Sequence, residues 1–192
     1  MTKKVLVTGV SGFLGHHCAV ELLKRGYFVK GSLRDLSRKN EVLDGIKKEI
    51  DPSKKIEFVK LDLMSDDGWE DAVKGCEYIL HVASPFSVEV PSHEDEYIKP
   101  ILDGTIRALK YAQKEKIKRF VLTSSAVTMM GVVYDSESNT GIVDAKDWTE
   151  PYSKNINTYI KAKTLGEKAA WDFYEKQPDD SSMEMAVICP GG

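Results

Sequence analysis

Lys4-Val5-Leu6-Val7-Thr8-Gly9-Val10-Ser11-Gly12-Phe13-Leu14-Gly15 joins a short apolar run to three glycines spaced three apart, and the amphipathic run Cys18-Ala19-Val20-Glu21-Leu22-Leu23 follows. A buried strand that passes through a glycine turn into a helix leaves unpaired N–H groups at the helix start. Without side chains in the way, a pyrophosphate can approach that backbone closely. Gly9 suits the tight turn, Gly12 the approach of phosphate, and Gly15 close packing of the helix.

The alternation continues down the chain. Strands are predicted over Lys4–Thr8, Phe28–Leu33, Ile56–Lys60, Tyr78–Val82, Arg119–Thr123 and Glu184–Ile188, each a compact apolar run of the kind covered on both faces. Helices are predicted over Gly12–Arg25, Ser37–Ile50, Gly68–Lys74, Glu94–Glu115 and Asn155–Gln177. In the fourth, Ile98, Ile101, Leu102, Thr105, Leu109 and Ala112 follow the 3.6-residue period, and Pro100 is a candidate bend. Repeated βαβ units predict an α/β fold with a doubly wound parallel sheet of order 3-2-1-4-5-6, the Rossmann arrangement. Residues 131–154 read as one long irregular stretch, a length that often marks function. The ending Cys189-Pro190-Gly191-Gly192 after an apolar strand reads as a chain cut short of a further, smaller lobe.

Length and composition bound the remaining possibilities. At 192 residues, 42% apolar and 30% charged, the chain reads as one ordinary globular domain. A net charge of −3 gives no broad attraction to nucleic acid or acidic membranes, and the short basic pieces are interleaved with acids. No run approaches membrane-spanning length. Lys3-Lys4 leads into too short an apolar run for a signal peptide. Cys18, Cys76 and Cys189 lie far apart without metal or disulfide spacing, so the expected location is a reducing cytoplasm. His16, His17, His81 and His93 show no ligand spacing either, and His81 reads as a strand residue bonded locally. No metal is expected.

Further pieces complete a recognisable set: Val29-Lys30-Gly31-Ser32-Leu33-Arg34-Asp35, Asp62-Leu63, His81-Val82-Ala83-Ser84-Pro85, Thr123-Ser124-Ser125-Ala126, Tyr159-Ile160-Lys161-Ala162-Lys163-Thr164 and Cys189-Pro190-Gly191. With the glycine turn, they make the chain resemble the extended short-chain dehydrogenase/reductase superfamily over essentially its whole length. Within it the chain is most similar to the dihydroflavonol-reductase, cinnamoyl-CoA-reductase and aldehyde/ketone-reductase branch. Such relatives continue past Pro190-Gly191 into a lobe that shapes the substrate pocket. The resemblance implies that residues 1–192 form an NAD(P)-binding domain carrying the catalytic residues, with the substrate lobe beyond.

The resemblance assigns roles. Gly9, Ser11, Gly12, Phe13, Leu14 and Gly15 would hold the pyrophosphate, Asp62 and Leu63 the adenine, and Val82, Ala83, Ser84, Pro190 and Gly191 would line the remaining cofactor surface. An N-capping role rivals the adenine contact for Asp62. Cofactor choice rests on the end of the second strand, where the 2′-hydroxyl of NAD wants a carboxylate and the 2′-phosphate of NADP a guanidinium. NAD-preferring relatives carry the acid where Leu33 stands, and Arg34 comes next, which favours NADP(H). Arg38 or Lys39 would add a second cation, while Asp35 is free to turn toward a ribose instead.

Tyr159 and Lys163 are four apart, on one face of a helix. A free phenol ionises near about pH 10, and an adjacent ammonium favours its phenolate. By resemblance Tyr159 is the proton donor to a substrate carbonyl, Lys163 its ammonium neighbour and a ligand of the nicotinamide ribose, and Ser125 the group that polarises the carbonyl. The expected activity is NADPH-dependent reduction of a small or aromatic aldehyde or ketone. Its rivals are an NAD-dependent nucleotide-sugar epimerase or dehydratase and a non-catalytic NADP-binding regulatory module. Pro85 and Phe86 would turn toward the substrate, with Met129, Met130, Tyr134 and Ile156 as candidate pocket walls. The expected partner is a small carbonyl compound, with neither nucleic acid nor membrane, and the oligomeric state stays open between monomer and homodimer.

Overall fold

The computed structural model describes residues 3–52, 54–84, 93–135, 142–178 and 181–191. Strands β1 (Lys4–Thr8), β2 (Phe28–Leu33), β3 (Ile56–Lys60), β4 (Tyr78–His81), β5 (Arg119–Thr123) and β6 (Glu184–Ile188) form one sheet. Its order is β3-β2-β1-β4-β5-β6, as expected, and every pairing is parallel. Helices α1 (Phe13–Lys24), α2 (Lys39–Lys47), α3 (Trp69–Val73), α4 (Asp95–Lys114), α5 (Val127–Asp135) and α6 (Thr158–Glu175) complete the described elements.

Period-two alternation in β1 sorts the two covering layers. Val5 and Val7 pack with Ala19, Val20 and Leu23 of α1 and with Val42 and Ile46 of α2. Leu6 faces the other way, into a core with Trp69, Ala108, Leu109 and Phe120. The middle positions of the central strands are therefore apolar on both faces, which is why they read as short hydrophobic runs. The helices α4 and α6 lie tightly together: a Cβ at Gly166 of α6 would stand 2.7 Å from Ile101 Cγ2 of α4. Lys30 in β2 is buried, yet its ammonium donates to the Asp71 and Lys74 carbonyls at the end of α3, at 2.7 and 3.1 Å. That cation closes a helix C-terminus, where positive charge is favourable.

Three local expectations are corrected. β4 ends at His81, one residue early, because the Val82 N–H turns to the Thr8 hydroxyl instead of continuing the ladder. The helix expected from Ser37 begins as a 3-10 turn over Leu36–Arg38, capped by the Asp35 carboxylate, before α2 starts. Part of the stretch read as irregular from Gly131 is helical, since α5 runs to Asp135. Its three valines and Gly131 lower its helix propensity, and buried Thr149 holds it from outside. Thr149 Oγ1 donates to the Val127 carbonyl and accepts from Gly131 N, while Thr149 N donates to the Thr128 carbonyl.

Gly15 is the tightest packing point in the first turn of α1. A Cβ there would meet the Gly9 carbonyl oxygen at 2.3 Å, whereas one at Gly12 would meet the same atom at 3.4 Å. Gly15→Ala is expected to cost about 1–3 kcal/mol of folding stability by overpacking, and Gly12→Ala less than about 1 kcal/mol. Denaturant midpoints of the two variants measure this, and equal losses would show that the contact does not constrain the turn.

Candidate active site

Six parallel strands bring six carboxyl ends to one edge, and the expected site residues follow them. Gly9 follows β1, Arg34 follows β2, Asp62 comes soon after β3, Val82–Ser84 follow β4, Ser124 and Ser125 follow β5, and Pro190 and Gly191 come soon after β6. Strand order reverses between β1 and β4, which opens a crevice where ligands of such sheets bind. Thr8, fully buried, ties its two sides together. Its Oγ1 accepts from Val82 N and Ala83 N, both at 3.0 Å, and lies 3.1 Å from His81 Nδ1. With two donors already on the oxygen, the hydroxyl proton goes to Nδ1, so His81 carries its own proton on Nε2. Burial, with the Lys163 charge nearby, pushes the His81 pKa down to about 3.

The first crossover fits a pyrophosphate. Gly9 adopts φ +69°, and its N–H donates to Ser32 Oγ. A Cβ there would press on Ala83 at 3.0 Å, so β-carbons are excluded at the crevice itself. Gly12 is the N-cap of α1, with no side-chain cap and no acid in the first turn. The amides of Phe13, Leu14 and Gly15 thus begin the helix with its positive end uncapped. Phe13 and Leu14 have exposed side chains, and Ser11 is half-buried.

At the end of β2 the structure separates the competing charges. Leu33 is buried in the α1–α2 core. Arg34 is exposed and makes no ion pair or hydrogen bond to the described residues. Asp35 accepts from Ser37 N and Ser37 Oγ at 2.9 and 2.7 Å, bonds that hold its carboxyl below the usual range. Arg38 is engaged with both carboxylate oxygens of Glu41, and Lys39 is exposed. Asp62 Oδ1 accepts from Met64 N at 2.8 Å in an Asx turn and caps no helix, since the N-cap of α3 is Gly68; Leu63 packs against Gly104 of α4.

The catalytic candidates gather around β5. Ser124 N donates to the Ile188 carbonyl and Ala126 N to the Pro190 carbonyl, so Ser125 is pinned on both flanks by the segment that ends β6. Its own carbonyl accepts from Thr128 N and Thr128 Oγ1. Asn157 caps α6 by accepting from Ile160 N, which starts the helix just before Tyr159. Tyr159 is half-buried against Tyr97, Ile98, Ile101 and Ala162, its ring edge-on to Tyr97. One turn on, Lys163 is buried and its ammonium donates to the Thr123 carbonyl at 3.1 Å. Burial pulls its pKa down to about 8, against opposing attraction from Glu167. Lys163 lines a small cavity with His81, Ser84, Ser124 and Glu167, and the buried Ser84 hydroxyl has no hydrogen-bond partner among the described residues. A polar orphan of that kind fits a site completed by a ligand. Pro85 and Phe86 lie outside the described residues, as does the side chain of Tyr134.

Two contributors escaped the motif reading. Thr8 looked like the last residue of a strand, with nothing in its spacing to signal a bridge. Glu167 stands four after Lys163, on the same helical face, and that spacing was the available signal.

The NAD dependent epimerase/dehydratase family model matches residues 5–183, and the chain belongs to that family. Dihydroflavonol 4-reductase of Arabidopsis thaliana is 38% identical over 184 residues, which cover 90% of this chain and 46% of that protein. Cinnamoyl-CoA reductase CAD2 of Medicago truncatula is 33% identical, over 97% of this chain and 56% of that protein. The chain thus spans about half the length of these curated relatives. Among solved structures, yeast methylglyoxal/isovaleraldehyde reductase Gre2 complexed with NADPH superposes with a TM-score of 0.84 at 24% identity, over 98% of this chain and 57% of that one. Gre2 of Candida albicans in complex with NADPH gives 0.80 at 26%, with the same coverage.

The neutral His81 sets a pH dependence. Its folded pKa lies below the unfolded value of 6.5, so the unfolded chain binds the proton first and stability falls as pH drops from 6.5 toward 3. The contribution approaches about 1.4 kcal/mol per pH unit at full slope. Denaturation between pH 6.5 and 5 is expected to show this slope in the wild type and a shallower one in His81→Asn, whose amide oxygen can take the Thr8 proton. Parallel curves would exclude His81 as the source.

Proposed function

We propose that this chain is the NADP(H)-binding, catalytic portion of a reductase that adds hydride to the carbonyl carbon of a small or aromatic aldehyde or ketone. The observation that carries the cofactor choice is the end of β2. Leu33 is committed to the core, Asp35 to its own 3-10 turn, and Arg34 alone is exposed and uncommitted. A 2′-hydroxyl finds a carboxylate already turned back onto Ser37, while a 2′-phosphate finds a planar cation. The solved Candida relative, in complex with NADPH, supports the same choice.

The residues present suit NADPH: the Gly9–Gly15 turn for its pyrophosphate, Arg34 for its 2′-phosphate, Asp62 and Leu63 for adenine, and Val82–Ser84 with Lys163, Pro190 and Gly191 for the nicotinamide end. When bound, this cofactor supplies the hydride. Tyr159 donates its phenolic proton to the substrate oxygen, and Ser125 donates a hydrogen bond to the same atom, holding the carbonyl polarised. Lys163, charged and held against the Thr123 carbonyl, stabilises the phenolate left behind. Packing against Tyr97, Ile98, Ile101 and Ala162 holds the Tyr159 ring in place. Within this chain, substrate selection is assigned to the stretch 131–154.

The family name also covers NAD-dependent epimerases and dehydratases. That alternative wants an acid where Leu33 is buried.

Two variants of the full-length protein test the reading, with NADPH oxidation recorded over an aldehyde and ketone panel. Tyr159→Phe is expected to lower kcat by about 100-fold or more, and unchanged turnover would refute the mechanism. Arg34→Ala is expected to raise KM for NADPH about 10- to 100-fold, the worth of a charged hydrogen bond, and to leave KM for NADH unaltered. An equal effect on both cofactors would remove Arg34 from the 2′-phosphate site.

A further inference from the structure

We infer that Glu167 is the positioning residue of this site: a buried carboxylate that keeps the Lys163 ammonium charged and, through Ser124, holds α6 to the strand end that presents Ser125. Its catalytic meaning rests on the reductase reading above, but its electrostatic content does not.

Glu167 stands one helical turn beyond Lys163 on α6, and the two line the same cavity at the carboxyl end of β5. It is buried, with 7% of its surface exposed. A carboxylate in that position needs donors, and three are arranged around it. Ser124 Oγ donates to Oε2, the Trp171 indole N–H lies 3.4 Å from Oε1, and Cys189 Sγ lies 3.8 Å from Oε2. These donors come from the β5 end, from α6 and from the segment after β6, so the carboxylate clamps three elements that converge on the site. Ser124 is the residue before Ser125, and fixing its side chain fixes the strand end from which Ser125 projects.

Among the described residues, the groups facing the ammonium leave Glu167 as its leading electrostatic partner, ahead of Cys189. From β4 comes His81, neutral because the Thr8 proton occupies Nδ1 and burial disfavours the cation. From β5 comes the Thr123 carbonyl. From α4 come Ile101, Thr105 and, against Tyr159, Tyr97. Glu94, which precedes α4, is paired with Lys161. From the end of β6 comes the Cys189 thiol, which burial and Glu167 hold in its neutral form. On α6 itself are Tyr159 and Glu167. A buried ammonium with one carbonyl ligand is costly, and the carboxylate one turn away is the charge that offsets it.

Glu167→Gln preserves shape and an acceptor for Ser124 while deleting the charge. In chain labelled at the lysine Cε, with Lys163→Arg assigning the resonance, the ¹³Cε titration midpoint of Lys163 is expected to fall by about one pH unit in Glu167→Gln. Ser124→Ala, which keeps the charge and removes a donor, is expected to leave the midpoint within about 0.3 unit. A midpoint unmoved by Glu167→Gln overturns the proposal. Should Glu167→Gln not fold, the ¹³Cδ shift of Glu167 in the wild type decides: an ionised carboxylate at pH 7 supports the role, and a protonated one overturns it. In the full-length enzyme, the alkaline limb of kcat is expected to move down with the lysine midpoint in Glu167→Gln, and Glu167→Asp to recover part of that shift. If Tyr159→Phe retains turnover while the lysine titration still responds to Glu167, the reductase reading fails and the charge coupling stands.

Discussion

The Thr8 hydroxyl fixes the place where everything else meets. Two backbone N–H groups from the far side of the switch point converge on one oxygen, whose proton is passed to a histidine. No solvent reaches Thr8, so each of these groups would be an unpaired polar atom if the bridge were lost. The same bridge sets the distance between Gly9 and Ala83, already at the limit a missing Cβ allows. Crevice width, glycine turn and histidine tautomer are thus one constraint seen from three sides.

From that point the site extends in two electrostatic directions. Toward β2 the environment is open and positive: Arg34 is exposed and uncommitted, suited to a dianionic group that arrives with its own hydration. Toward β5 it is closed, and charge there is expensive. Lys163 loses part of its preference for the ammonium form to burial and keeps it through the Thr123 carbonyl and Glu167. An exposed cation serves binding, because water screens it until a strong anion comes close. A buried cation acts on its neighbours directly, because its field is scarcely screened there.

How far the sequence disclosed this depended on whether the information was local. Strands β1, β2, β3, β5 and β6 run as expected because buried parallel strands leave short apolar runs with clear ends. Gly9 and Gly15 announced themselves by spacing, and the close contacts between them explain that spacing. β4 was read one residue too long, since only the fold brings the Thr8 hydroxyl to Val82. Helix α5 was missed because its residues are poor helix formers, held by Thr149 from fourteen residues beyond its end. Asp35 remained ambiguous until its oxygens were seen on Ser37, two residues away, where a capping turn and a ribose contact share one sequence pattern. The roles of Ser125, Tyr159 and Lys163 came from resemblance; the geometry adds how each is held.

Ser125 is held almost entirely by backbone. Flanking amides are bonded to β6 and the Pro190 carbonyl, and its own carbonyl is taken by Thr128. Those bonds leave its side chain as the part of the residue not consumed by structure, apart from a long contact to Val127 N at 3.4 Å. Lys163 shows the complementary solution, in which the side chain is bound and the helix backbone is self-sufficient. Both are anchored on the segment Thr123–Ala126, Lys163 through the Thr123 carbonyl and Ser125 by sequence. A shift of β5 against α6 would therefore carry the serine and the lysine's ligand together, preserving their relation while moving both against Tyr159. The Ser124–Glu167 bond resists that shift, since it joins the strand end to the helix that bears both Tyr159 and Lys163. Strand end and helix are consequently coupled, and with them the hydroxyl of Ser125, the phenol of Tyr159 and the ammonium of Lys163.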